Sequence, residues 1–148
     1  MTNHDTEERN TVLYAADVIV FHDSQVLLIK RAYAPFEGHR AIPGGHVDAD
    51  ETSRAAAARE LTEETGLTID PAHLRMVGVY DDPDRDPRGR VVSVAYAIEL
   101  TELQAIRAGD DAADAMWVDI EQALAGPLAF DHPNILGDAY SLLMDDQL

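Results

Sequence analysis

Apolar and polar positions alternate along the first third of the chain. Val12, Tyr14, Val18 and Val20 predict a strand over 11–21. A polar turn at His22-Asp23-Ser24 follows, and 25–31, QVLLIKR, is expected as the partner strand of a hairpin. After a loop at 34–38, residues 40–47 predict a short strand with Pro43 at its end, where a missing donor is tolerated. The period changes from two to helical over 52–65, with Asp50 or Thr52 as cap and Gly66 as the left-handed stop. Ala55 and Ala58 are expected on the helix back, against a sheet. Strands are predicted at 74–80 and 91–100, and a short helix or loop at 101–111. A short strand at 115–118 carries Trp117, expected in the core, and precedes a helix at 119–125. A last helix spans about 133–145, with His132 read as structural at its start. The order β, β, β, α, β, β, β, α, α implies an α/β fold, a mixed sheet between helices.

The predicted helix at 52–65 carries Arg59-Glu60-Leu61-Thr62-Glu63-Glu64. Glu60, Glu63 and Glu64 stand at offsets of three and four and so share a helix face. Like charges so placed repel by roughly 0.2–0.5 kcal/mol per pair on an isolated helix, a cost that a cation offsets. Oxygen-only ligands suit a hard ion, Mg²⁺ or Mn²⁺. Arg59 is spaced to pair with Glu63. Gly44-Gly45 lets backbone approach a phosphate or a metal.

Charge narrows the partners. The 28 acidic residues against 11 basic give a net charge of −17. That balance opposes binding to nucleic acid or to an anionic membrane, but leaves room for a small anionic substrate held by a few arginines and a metal. The acidity suits either a salt-rich cytoplasm or a solubility role. Without cysteine, disulfides, thiolate zinc sites and Cys nucleophiles are excluded. The chain lacks GxSxG, HExxH and Walker A patterns. Residues 1–10, polar and acidic, are expected as a flexible tail unlike a secretory peptide, with one domain over 11–148 and a cytoplasmic location.

The string from Gly45 to Leu67 matches G-x5-E-x7-R-E-U-x-E-E-x-G-U, U being a bulky aliphatic, at Gly45, Glu51, Arg59, Glu60, Leu61, Glu63, Glu64, Gly66 and Leu67. In this the chain resembles the Nudix hydrolases. The resemblance implies the Nudix α/β/α fold and divalent-metal-dependent cleavage of a phosphoanhydride. It implies Glu60 and Glu64 as principal metal ligands, Glu63 sharing a second ion, the Gly44 carbonyl as a further ligand, and Glu51 orienting the helix through Arg59. The general base moves between loops in this family, and Asp110, Asp111 and Asp114 are the candidates.

The loop at 81–90, DDPDRDPRGR, places Arg85, Arg88 and Arg90 within six positions, and guanidinium forks suit a diphosphate. It resembles the D-P-x-R-D-P-R segment of ADP-ribose pyrophosphatases in the same family, with Pro83 sixteen positions beyond Leu67 as their marker proline. Hydrolysis of ADP-ribose to AMP and ribose 5-phosphate is therefore the expected activity. Arg31, Arg40, Arg85, Arg88 and Gly45 are the expected substrate contacts, and a homodimer is compatible. The alternatives are a house-cleaning nucleoside triphosphate pyrophosphohydrolase and a non-catalytic ADP-ribose sensor. The complete box opposes the sensor.

Overall fold

The computed structural model describes residues 11–109 and 112–146. The expected tail 1–10 and the base candidates Asp110 and Asp111 lie outside the described residues. Seven strands form one sheet: β1 (Leu13–His22), β2 (Gln25–Arg31), β3 (Arg40–Ala41), β4 (Gly44–His46), β5 (Arg75–Tyr80), β6 (Val91–Glu99) and β7 (Ala112–Asp119). Among the described residues three α-helices flank it: α1 (Ser53–Thr65), α2 (Ile120–Ala125) and α3 (His132–Asp146).

β1 and β6 run parallel over nine registered pairs, Leu13↔Val91 to Phe21↔Glu99, and β5 continues the sheet antiparallel to β6. β1 is buried almost throughout, as a central strand with both faces covered must be. The period-two rule sends alternate side chains to opposite cores. Val18 and Val20 pack with Leu27 against Ala56, Ala57 and Leu61 of α1. Ile19 and Phe21 pack with Val26 and Leu28 against Ile120 of α2 and Ile135, Leu136 and Leu143 of α3. This gives the α/β/α sandwich expected from the element order.

Three details differ from the sequence expectation. The hairpin of β1 and β2 is paired only at Phe21↔Val26 and His22↔Gln25. Beyond that the strands diverge, β2 taking β7 as partner and β1 accepting β4 at Ala15–Asp17. The strand expected at 40–47 is broken at Ile42-Pro43, where the ring removes a donor. The back of α1 is Ala56, Ala57 and Leu61, with Ala58, while Ala55 is only half-buried. Of the helix or loop expected at 101–111, residues 101–109 take the loop. They lie against the end of α1, with Arg107 N–H donating to Thr65 O and Gly109 N–H to Glu64 O, both at 2.9 Å.

Candidate active site

Thr52 caps α1, its hydroxyl accepting from Ala55 N–H, and Gly66 ends the helix at φ 76°. These ends fix the rotation of the helix, so Leu61 enters the core and Glu60 and Glu64 face the rim of β1 and β4. Glu64 is 9% exposed, accepts from Gly44 N–H at 3.4 Å and is hydrogen-bonded to Glu60. Burial first, then the neighbouring Glu60 charge, pushes the Glu64 carboxyl up to about 9. Burial also raises Glu60, opposed by its bond from Arg59 Nη1 at 2.9 Å. A Cβ on Gly45 would overlap the Glu60 carboxylate. A side chain here would have to displace that carboxylate.

Arg59 organises the other side. Its Nη2 donates to Glu51 Oε1 at 2.6 Å and to His46 O at 2.9 Å, and its Nε to Glu51 Oε2 at 3.1 Å. Its Nη1 also reaches both Glu63 oxygens at 3.2 Å. The spacing-based pair of Arg59 and Glu63 is thus present, and Glu51 clamps the guanidinium against the start of the helix. Glu63 is drawn to Arg59 and stays largely exposed, so the three carboxylates divide into an inward pair and an outer one. Among the described residues no three acidic or histidine side chains converge as a ready-made metal cage. The inward pair nevertheless has the chemistry of a hard-cation site. Glu64 is buried and Glu60 half-buried, their charges repel, and the charge of Asp17 adds to that repulsion.

Asp17 is the residue that sequence reasoning missed. It sits mid-strand in β1, 7% exposed, and accepts from Ser93 Oγ of β6 at 2.5 Å. A lone carboxylate inside the apolar run AADVIVF was the available signal, since a central strand excludes an unpartnered charge. His132, expected as structural, is buried; its Nδ1 accepts from Ile42 N–H at 2.9 Å, and burial lowers its pKa. It thereby ties α3 to the segment entering Gly44.

Asp17, Glu60, Glu64, Gly44 and Gly45 line a cleft of about 530 Å³ together with Arg31, Arg85 and Arg88. Arg31 and Arg88 lie over the Phe130 ring, at 4.9 and 5.5 Å from its centroid. Burial and then the neighbouring Arg88 charge lower the Arg31 pKa, as befits two cations held close together. Arg31 Nε donates to Pro35 O at 2.7 Å. Arg88 pairs with Asp86 at 2.8 Å and remains half exposed. Arg85 is committed to Asp131 through two bonds of 2.8 Å and is 6% exposed, so it pins the 81–90 loop to the start of α3. Arg90 is half-buried, and its Nε has no hydrogen-bond partner among the described residues.

Two expected site residues lie elsewhere. Arg40 is exposed and lines a separate hollow with Gly38 and Leu128, because Ala41 takes the buried face of β3. Asp114 is exposed on β7, opposite Lys30 of β2, and does not line the cleft.

A family model described as NUDIX domain matches residues 12–138, and the chain belongs to the Nudix family. It is 44% identical to an ADP-ribose pyrophosphatase of Methanocaldococcus jannaschii over 84% of this chain and 70% of that protein. It is 38% identical to the ADPR responsive transcriptional repressor NtrR of Acinetobacter baylyi over 80% of this chain, but spans only 48% of that repressor. Its fold is similar to the NUDIX domain of Shewanella oneidensis NrtR, solved in complex with ADP ribose: TM-score 0.84, 27% identity, 97% of this chain and 99% of that one. Such kinship indicates a pyrophosphohydrolase.

Proposed function

We propose that this protein hydrolyses ADP-ribose to AMP and ribose 5-phosphate with Mg²⁺ or Mn²⁺. The observation that carries the reading is that the Glu60–Glu64 pair and the Arg31–Arg88 pair line the same cleft. A diphosphate bound there meets both guanidinium donors and a cation-seeking carboxylate pair. The 44% identical pyrophosphatase from M. jannaschii supports ADP-ribose as the substrate.

Glu60 and Glu64 hold the ion in this reading, with Glu63 supplying an outer ligand and Arg59 and Glu51 fixing the helix that bears them. The ion supplies charge neutralisation at the phosphoryl oxygens and a more acidic water. Arg31 and Arg88 orient the diphosphate, and Gly45 leaves room at the helix face. Water adds to one phosphorus, the bridging P–O bond breaks, and two phosphate monoesters leave. The proton acceptor in this reading is Asp110 or Asp111, carboxylates of the kind that a base in this chemistry requires. A cytoplasmic homodimer completes the proposal, with exposed Leu13, Met76 and Val79 offering apolar surface on β1 and β5.

The test is a substrate panel with Mg²⁺, scored by products. AMP plus ribose 5-phosphate supports the reading, whereas nucleoside monophosphate plus pyrophosphate from a triphosphate replaces it with the house-cleaning activity. Likeness to NtrR favours the sensor as second reading. Binding of ADP-ribose without turnover on any compound would establish it. Glu63→Gln and Glu64→Gln should each lower turnover by several orders of magnitude in a folded protein, and near-normal turnover of Glu64→Gln overturns the ligand assignment.

A further inference from the structure

A second, larger cavity of about 1110 Å³ adjoins the carboxylate cleft, and Arg85 and Phe130 line both. Phe36 and Phe130 stand edge to face at the junction, centroids 4.9 Å apart, both with left-handed backbone at φ 61° and 55°. Pro87 and Pro133 add flat apolar surface. The polar lining is unlike that of the first cleft. Five aspartates face one arginine, and that arginine is already neutralised by Asp131. Two of the carboxylates are Asp82, exposed on the loop, and Asp138 on α3, which accepts from Tyr80 hydroxyl at 2.6 Å.

We propose that this acidic, aromatic-walled cavity receives the nucleoside end of the substrate and discriminates against a phosphate on its ribose. The inference rests on the diphosphate lying in the first cleft, as in the proposed function. Ring and proline surfaces suit a planar base. Carboxylates suit a ribose diol, whose hydroxyls donate to them, and repel a 2′-phosphate. The same charge logic separates the unphosphorylated from the 2′-phosphorylated ligand in dinucleotide-binding folds. The protein thus acts on unphosphorylated nucleoside diphosphate sugars and rejects their 2′-phosphates. Anionic groups beyond the diphosphate have no cationic partner here, which also disfavours a longer phosphate chain.

The experiment uses the non-hydrolysable α,β-methylene analogue of ADP-ribose and its 2′-phosphate, titrated calorimetrically into the full chain with Mg²⁺. The expected result is binding of the unphosphorylated analogue at least ten-fold tighter, with the ratio shrinking as salt rises. The double variant Asp82→Asn/Asp138→Asn leaves an amide oxygen to accept from Asp84 N–H and from Tyr80 hydroxyl, and should bring the ratio below about three-fold. Equal affinity of the two analogues for the unaltered protein, or an unchanged ratio in the folded double variant, overturns the proposal. If the variant does not fold, the wild-type ratio alone decides. Absence of turnover with the binding ratio intact sinks the hydrolase reading and spares this one. Failure of both analogues to bind overturns both.

Discussion

Glu64 provides a measurement of the energetic strain stored in the carboxylate pair. Its carboxyl is held at about 9 in the fold by burial and by Glu60, against an ordinary value of 4.5. The folded state therefore keeps a proton that the unfolded chain has released. A group raised in this way stabilises the fold fully below the unfolded pKa, and that contribution is lost as pH rises toward the folded pKa. Between pH 6 and 8, inside this window, one retained proton gives a slope of about 1.4 kcal/mol per pH unit. The metal-free protein should lose about 3 kcal/mol over those two units, a drop in Tm of roughly 5–10 °C for a chain of this size. Glu64→Gln removes the titration and should flatten this component, and saturating Mg²⁺ should do likewise in the unaltered protein by favouring the ionised pair. Differential scanning calorimetry in chelator at pH 6, 7 and 8 measures it. Comparison of the two proteins cancels the histidines that titrate over the same range. Identical slopes for wild type and Glu64→Gln would refute the reasoning.

Three further outcomes test the frame around that pair. Gly45→Ala drives a Cβ into the Glu60 carboxylate; it should reduce kcat at least ten-fold and weaken Mn²⁺ binding, read by electron paramagnetic resonance. Asp17→Asn removes one charge beside Glu64 while preserving the bond from Ser93; Mn²⁺ affinity should fall about ten-fold and metal-free Tm should rise. Leu61→Ala opens a void where α1 meets the sheet, at a cost of about 2–5 kcal/mol in denaturant unfolding.

The helix of the box was readable because its signals are local. The Thr52 cap, the carboxylate spacing, Arg59 against Glu63 and the Gly66 stop each act within a few residues, and the structure has all of them. The strands were readable for the same reason, as β-branched runs bounded by turns. Pairing was not. Nothing in β1 and β2 announces that they part after two pairs, because the alternatives, β6 for one and β7 for the other, lie 78 to 94 residues away in sequence. Asp17 stood out in the sequence only as a carboxylate in an apolar run; its place beside Gly44 and Glu64 came from the pairing of β1 with β4.

The 81–90 loop shows the division most clearly. Its three arginines suggested one anion-binding cluster. Folding sends Arg85 to Asp131, at the start of a helix 46 positions away, while Arg88 reaches the Phe130 ring beside Arg31. By itself the sequence determined the elements, the carboxylate ridge and the class of ion it would attract, since propensity, capping and like-charge spacing depend on neighbours along the chain. Tertiary structure alone decided which carboxylates turn inward, which arginines are neutralised and which face the cleft. Burial and long-range ion pairing depend on partners that only the closed sheet brings within reach.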